Sequence, residues 1–272
     1  MGKMEDLLSN KRHSSSLNKL PRVITVANQK GGVGKTTTVV NIATCLAETG
    51  KRVLIIDFDP QANATSAVGI EPGTFNQSIY EVILGHASMK DSIISTKWKG
   101  LSIAPATIDL SGAEIELVSA FNRERYLKTA ISDIIDDYDY VFIDCPPSIG
   151  LLTVNALTAA DEVLVPIQCE YLALEGLGQL INNVEKVKTH LNENLHISII
   201  ALVMFDGRTK LASQVVQEVR DHFGNKVCNQ IIPRSVRLSE APSYGQPIIY
   251  FDPKSRAALA YRALAKEISS VT

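Results

Sequence analysis

Val23-Ile24-Thr25-Val26-Ala27, then Gln29-Lys30-Gly31-Gly32-Val33-Gly34-Lys35-Thr36-Thr37, then an amphipathic run from Lys35 to Glu48 is the stretch that decides the fold. It reads as strand, glycine loop, helix. Glycines at 31, 32 and 34 let the backbone turn tightly and aim its N–H groups at phosphate oxygens. The helix N-terminus behind them adds the positive end of its dipole. Lys35 is placed to reach terminal phosphates, and the Thr36 hydroxyl to meet Mg²⁺. The pattern G-x-x-x-x-G-K-[ST] would put its first glycine at position 29, which is Gln, and a second lysine, Lys30, stands inside the loop.

Working outward, apolar runs alternate with helical periodicity. Strands are expected at Val23–Ala27, Val53–Ile56, Leu101–Ala104, Tyr140–Ile143, Glu162–Ile167, Ile197–Val203 and Asn229–Ile232. Helices are expected at Lys35–Glu48, Arg123–Asp136, Leu174–Leu191, Leu211–Phe223 and Ala257–Ile268. The alternation predicts an α/β fold: one domain over 21–272, with a mostly parallel twisted sheet covered by helices on both faces. Residues 1–20 are polar, rich in Ser and Lys, and lack the apolar core of a signal peptide, so they read as a flexible extension.

The 272 residues suffice for one large α/β core, and the net charge of −2 does not announce a nucleic-acid partner. The charge is unevenly spread: from Phe205 onward there are ten basic and six acidic residues. Cys45, Cys145, Cys169 and Cys228 form no C-x-x-C pair, which argues for reduced, buried thiols rather than a zinc or redox motif. No apolar run approaches the ~18 residues of a membrane span.

Two acids complete a nucleotide site. Asp57 ends the run Val53-Leu54-Ile55-Ile56, and Asp144 ends Tyr140-Val141-Phe142-Ile143. Carboxylates at the C-terminal ends of parallel strands face the ligand crevice. Asp57 and Asp144 are expected to hold Mg²⁺-bound waters, and Asp59 to orient an attacking water. Thr209-Lys210-Leu211-Ala212 lacks the Asp of the guanine-reading [NT]-K-x-D element, which favours adenine. Ile232-Pro233-Arg234-Ser235 is a candidate base pocket. Arg208, Arg234 and Arg237 lie on turns and suit phosphate contacts, without the aromatic interleaving or helix-turn-helix pattern of base readers.

The chain resembles the ParA/Soj family of partitioning ATPases, the deviant Walker A branch shared with MinD. The resemblance runs through Lys30–Thr37, Asp57-Phe58-Asp59-Pro60-Gln61-Ala62-Asn63-Ala64-Thr65, Asp144-Cys145-Pro146-Pro147-Ser148, Gln168–Leu177 and Ile232–Ser243. It implies ATP and Mg²⁺ as cofactors and an ATP-sandwiched homodimer in which Lys30 crosses to the other copy's nucleotide. Asp59 is implied as the acid needed for hydrolysis. Met204 and Pro233 match adenine-pocket positions. Ser235 stands where the family commonly has Asn. Arg208 and Arg237 match positions of sequence-independent binding to double-stranded DNA. The implied partner is a ParB-type centromere-binding protein, and the implied location is cytoplasmic and nucleoid-associated.

Three other readings of this scaffold are distinguishable. A MinD-type ATPase needs an amphipathic membrane helix at the C-terminus. Ala257–Thr272, with Leu259, Ala260, Ala263, Leu264 and Ile268, reads instead as docked on the domain. An iron–sulfur reductase needs cysteines at a symmetric interface, with Cys145 and Cys169 the pair by position. A pure scaffold would hold its nucleotide without turnover.

Overall fold

The computed structural model describes residues 20–170 and 173–270. The expected extension, save Leu20, lies outside that range, as do Tyr171 and Leu172. Seven strands form one sheet: β1 (Arg22–Val26), β2 (Val53–Asp57), β3 (Ile94–Ser95), β4 (Leu101–Ala104), β5 (Tyr140–Asp144), β6 (Glu162–Gln168) and β7 (His196–Val203). Their order is β3-β4-β2-β5-β1-β6-β7. Every pairing is parallel except β3 with β4. The sheet is thus the expected mostly parallel one, with one short antiparallel edge.

Side-chain alternation explains why both faces are covered. In β2, Leu54 and Ile56 enter one apolar cluster and Val53 and Ile55 the other; in β5, Val141 and Ile143 part from Tyr140 and Phe142 in the same way. Successive strand residues point to opposite faces, so strands apolar on both sides must be sandwiched. Helices Lys35–Glu48 and Arg256–Ser270 supply Ile42, Leu46, Tyr261 and Leu264 to one face. Helices Leu151–Ala159, Ala173–His190 and Lys210–Phe223 supply Leu152, Leu180 and Val215 to the other.

The C-terminal helix is docked, as its pattern suggests, though its buried face runs through Ala257, Tyr261, Leu264 and Ile268. Leu259 is 56% exposed and belongs to the outer face. The helix carries no free apolar stripe of the kind an amphipathic membrane anchor presents. No helix among the described residues is long and apolar enough to cross a membrane. All four cysteines are buried and unpaired. Cys145 and Cys169 are therefore not presented at a surface where a second copy's thiols could meet them.

Two expected elements differ. Asn229–Ile232 is not a strand. Ile232 N donates to Leu202 O at 2.9 Å and Cys228 N to Ile200 O at 2.9 Å. Between them, the Asn229 and Gln230 amides turn to the Glu267 carboxylate of the C-terminal helix, at 2.6 and 3.1 Å. A side-chain acceptor has replaced the ladder there, leaving isolated bridges at Val227 and Pro233. Arg123–Asp136 is broken into a 3₁₀ turn (Arg123–Arg125), a short helix (Tyr126–Ile131) and a second 3₁₀ turn (Ile135–Asp137). The Ser132 hydroxyl donates back to Thr129 O at 2.7 Å, the local competition that disfavours serine in helix interiors.

Tyr261 is 1% exposed, packs into the cluster beneath the helix that follows the glycine loop, and has its hydroxyl 3.4 Å from Thr38 Oγ1. Tyr261→Ala is expected to cost about 3–5 kcal/mol and Tyr261→Phe about 1 kcal/mol in denaturant unfolding, the difference being aromatic volume rather than the hydroxyl.

Candidate functional site

Chain order reverses around β1: its helix leads to β2 on one side of β5, while β6 lies on β1's other side. Crevices at such points open beyond the strands' C-terminal ends. There the glycine loop leaves β1, and Asp57 and Asp144 end β2 and β5. A cleft of about 600 Å³ opens at this edge. Its lining includes Gly31, Gly32, Gly34, Lys35, Thr36, Thr37, Asp59 and Met204.

The loop is held from below. Asn28 Nδ2 donates to Pro166 O at 2.8 Å, and its Oδ1 accepts from Lys30 N at 3.0 Å. Val33 is 2% exposed and anchors the loop in the core. Gly34 has φ 81° and Gly32 φ 72°, conformations that strain side-chain-bearing residues. Gly34 N-caps the helix without a side-chain hydrogen bond, so the first-turn amides stay open toward the cleft.

Lys35 is buried. Its Nζ donates to Asn28 O at 3.0 Å and Lys30 O at 3.3 Å, bent back over its own loop. Burial lowers its pKa, and nearby negative charge, Asp144 first, opposes the drop.

The acids lie behind it. Asp57 and Asp144 are register partners on adjacent strands, and both are fully buried. Asp57 Oδ2 accepts from both the amide and the hydroxyl of Thr65 at 2.7 Å. Burial still pushes Asp57 up to about 6. No hydrogen bond of good geometry reaches either carboxylate oxygen of Asp144, although the Thr36 hydroxyl lies close to it. Its pKa is raised well above the usual range by burial and then by the charge of Asp57, against opposition from the Thr36 hydroxyl and Lys35. Two adjacent buried carboxylates, one without a hydrogen bond of good geometry, form a donor set for a hard cation. No group of three or more His, Cys, Asp or Glu among the described residues forms a metal cage. Asp59 is 6% exposed, and its Oδ1 accepts from Gln61 N at 3.0 Å.

Other expected residues fall differently. Lys30 is at the loop's outer end, its Nζ 3.8 Å from Glu170 Oε2. Pro233 and Ser235 are absent from the cleft lining; the wall opposite the loop is instead Leu238, Ala241, Pro242, Ser243, Gln246 and Pro247. The breaker cluster Pro242-Ser243-Tyr244-Gly245-Gln246-Pro247 was the available signal for a loop wall. Met204 lines the cleft with a left-handed backbone, φ 54°, a strained conformation found preferentially at functional sites. The three arginines are exposed, and each already meets carboxylates. Arg208 pairs with Asp206 at 2.6 Å and Arg234 with Glu170 at 3.3 Å. Arg237 pairs with Glu240 at 2.7 Å and Asp252 at 3.1 Å, above the Phe251 ring. A second concavity, about 470 Å³ between Val82, Met89, Phe121 and Ile134, has none of the loop or strand-end acids.

Raised carboxyl pKa values mean that the folded chain binds more protons than the unfolded chain between about pH 4 and 6, so stability falls as pH rises through that window. Asp144→Asn is expected to stabilise the nucleotide-free chain at neutral pH by on the order of 1–3 kcal/mol and to flatten this dependence, measured by urea unfolding without Mg²⁺.

Residues 21–197 match the family described as AAA domain. The chain is 54% identical to the sporulation initiation inhibitor protein Soj of Bacillus subtilis, over 92% of this chain and 98% of that one. It is 50% identical to the chromosome partitioning protein ParA of Myxococcus xanthus, over 91% and 87%. A crystal structure named cobyrinic acid a,c-diamide synthase, from Mycobacterium smegmatis with bound ATP analogue and magnesium, superposes with a TM-score of 0.81 at 39% identity, over 92% of this chain and 95% of that one. On that identity and coverage, the chain belongs to the Soj/ParA family of chromosome-partitioning P-loop ATPases.

Proposed function

We propose that residues 21–272 bind ATP with Mg²⁺, dimerise face to face, bind double-stranded DNA without sequence preference, and release it on hydrolysis. The observation that carries this reading is the pairing of a two-lysine glycine loop with the fully buried Asp144 beside Asp57. Gly31, Gly32, Val33, Gly34 and the first-turn amides of Thr36 and Thr37 cradle phosphates. Lys35 swings from its own loop carbonyls to the β- and γ-phosphates. Thr36, Asp57 and Asp144 would hold Mg²⁺, directly or through waters, and the ion would offset phosphate charge. Asp59 orients the attacking water. Lys30 enters the facing copy's site, where it stabilises charge developing on the transferred phosphoryl group.

The base lies against Met204 and the 238–247 wall, with Pro233 and Ser235 supporting that wall from the preceding turn. Leu238 of that wall shares the short helix Val236–Glu240 with Arg237, so cleft occupancy and a DNA-facing arginine share one element. Arg208, Arg234 and Arg237 contact phosphates after exchanging their internal carboxylate partners. That exchange keeps a single chain's DNA affinity low and makes dimer avidity decisive. Hydrolysis stimulated by a ParB-type partner would then cycle the protein on and off the nucleoid.

In filter binding to random duplex, the log–log salt slope is expected to steepen on adding ATP, by about 0.9 for each added phosphate contact. Equal affinity with ATP, with ADP and in Lys30→Ala would sink the reading. Asp59→Ala is expected to keep ATP-dependent dimerisation while turnover drops by about 10²-fold or more, measured by phosphate release.

A further inference from the structure

Glu170 lies just beyond the end of β6, and its two carboxylate oxygens are divided between cations from distant parts of the chain. Oε2 is 3.8 Å from Lys30 Nζ in the glycine loop. Oε1 is 3.3 Å from Arg234 Nη2, in the segment after Ile232. Among the described residues, neither cation makes another ion pair. The backbone brings the three together. Gln168, two residues before Glu170, donates from Nε2 to Gly32 O at 3.0 Å and contacts Met204 Sδ at 2.9 Å, which ties the end of β6 to the loop on one side and the end of β7 on the other. Arg234 N donates to Phe205 O at 2.9 Å, which fixes the arginine beside that same end.

We propose that Glu170 restrains this site in the single chain. Its carboxylate holds Lys30 back from the phosphates of a facing copy and holds Arg234 back from DNA phosphate. A lysine paired in its own chain cannot serve another copy's nucleotide, so dimerisation must break the Lys30–Glu170 contact. Binding DNA through Arg234 must break the second contact. This inference rests on the reading of Lys30 as a residue that crosses to a second copy. All three side chains are two-fifths to three-fifths exposed, so each contact is screened by salt and worth at most about five-fold in an equilibrium. A restraint of that size sets a threshold without blocking the cycle.

The test is Glu170→Gln, which keeps shape and removes charge, in the full chain. Dimerisation with ATP and Mg²⁺ is read by sedimentation at low and at high salt, alongside the thermal midpoint without nucleotide. The variant is expected to dimerise about two- to five-fold more tightly at low salt, to lose that gain at high salt, and to melt as the wild type does. The gain should vanish in a Lys30→Ala background. DNA affinity with ADP should rise by a similar factor, and only while Arg234 is present. An unchanged or weaker dimer at low salt, or a gain that survives high salt or Lys30→Ala, overturns the role of Glu170. If the wild type itself does not dimerise with ATP, the proposed function fails and takes this inference with it. A wild-type dimer matched by Glu170→Gln defeats only the restraint.

Discussion

Asp57 and Asp144 stand side by side at the ends of β2 and β5, buried, one of them without a hydrogen bond of good geometry. Two carboxylates so placed repel each other and forgo hydration, and the fold tolerates this only because stronger elements fix them. The parallel register of β2 and β5 sets their spacing, and Thr65 clamps Asp57 with two hydrogen bonds at 2.7 Å. Lys35 alone brings positive charge from the loop side. The site is thus short of positive charge, and a divalent cation would relieve it. The helix N-terminus behind Gly34, capped by no side chain, leaves its first-turn amides open as a separate positive patch beside these acids.

The wall facing that centre comes from the last third of the chain. The 238–247 segment closes the cleft and contacts the short helix Asn63–Ala67 near Gly69, where a side chain on Gly69 would collide with Gly245 O. The helix that begins this contact contains Thr65, the partner of Asp57. Asp57, the cleft wall and Arg237 therefore belong to one packed chain of contacts. What travels along it is set by whether these elements have two arrangements, which is a property of the ligand-bound states.

Much of the centre was legible in the sequence because its parts are local. Loop, strand-end acids and the following helix each lie within 14 residues or fewer, and periodicity of two or 3.6 locates them. The pairing of Arg208 with Asp206, and of Arg237 with Glu240, was also within local reach, so a count of basic residues overstated the free charge of the last third. Asn229–Ile232 misled because its apolar pattern is strand-like while its amides are taken by Glu267, 38 residues away in the chain. The helix expected at Arg123–Asp136 kept its buried face at Leu127, Ile131 and Ile134 but broke where serine competes for the backbone.

The sequence by itself determined the α/β class, the glycine loop between strand and helix, and the acids at two strand ends, since each is written in contiguous residues. Only the tertiary structure decided that Asp57 and Asp144 are neighbours, that Leu238 to Pro247 rather than Pro233 and Ser235 line the cleft, and that Glu170 joins Lys30 to Arg234. Those facts depend on strand order and on contacts between segments far apart in the chain. Burial and charge neutralisation act through space, and periodicity along a chain carries no record of which distant side chain will fill it.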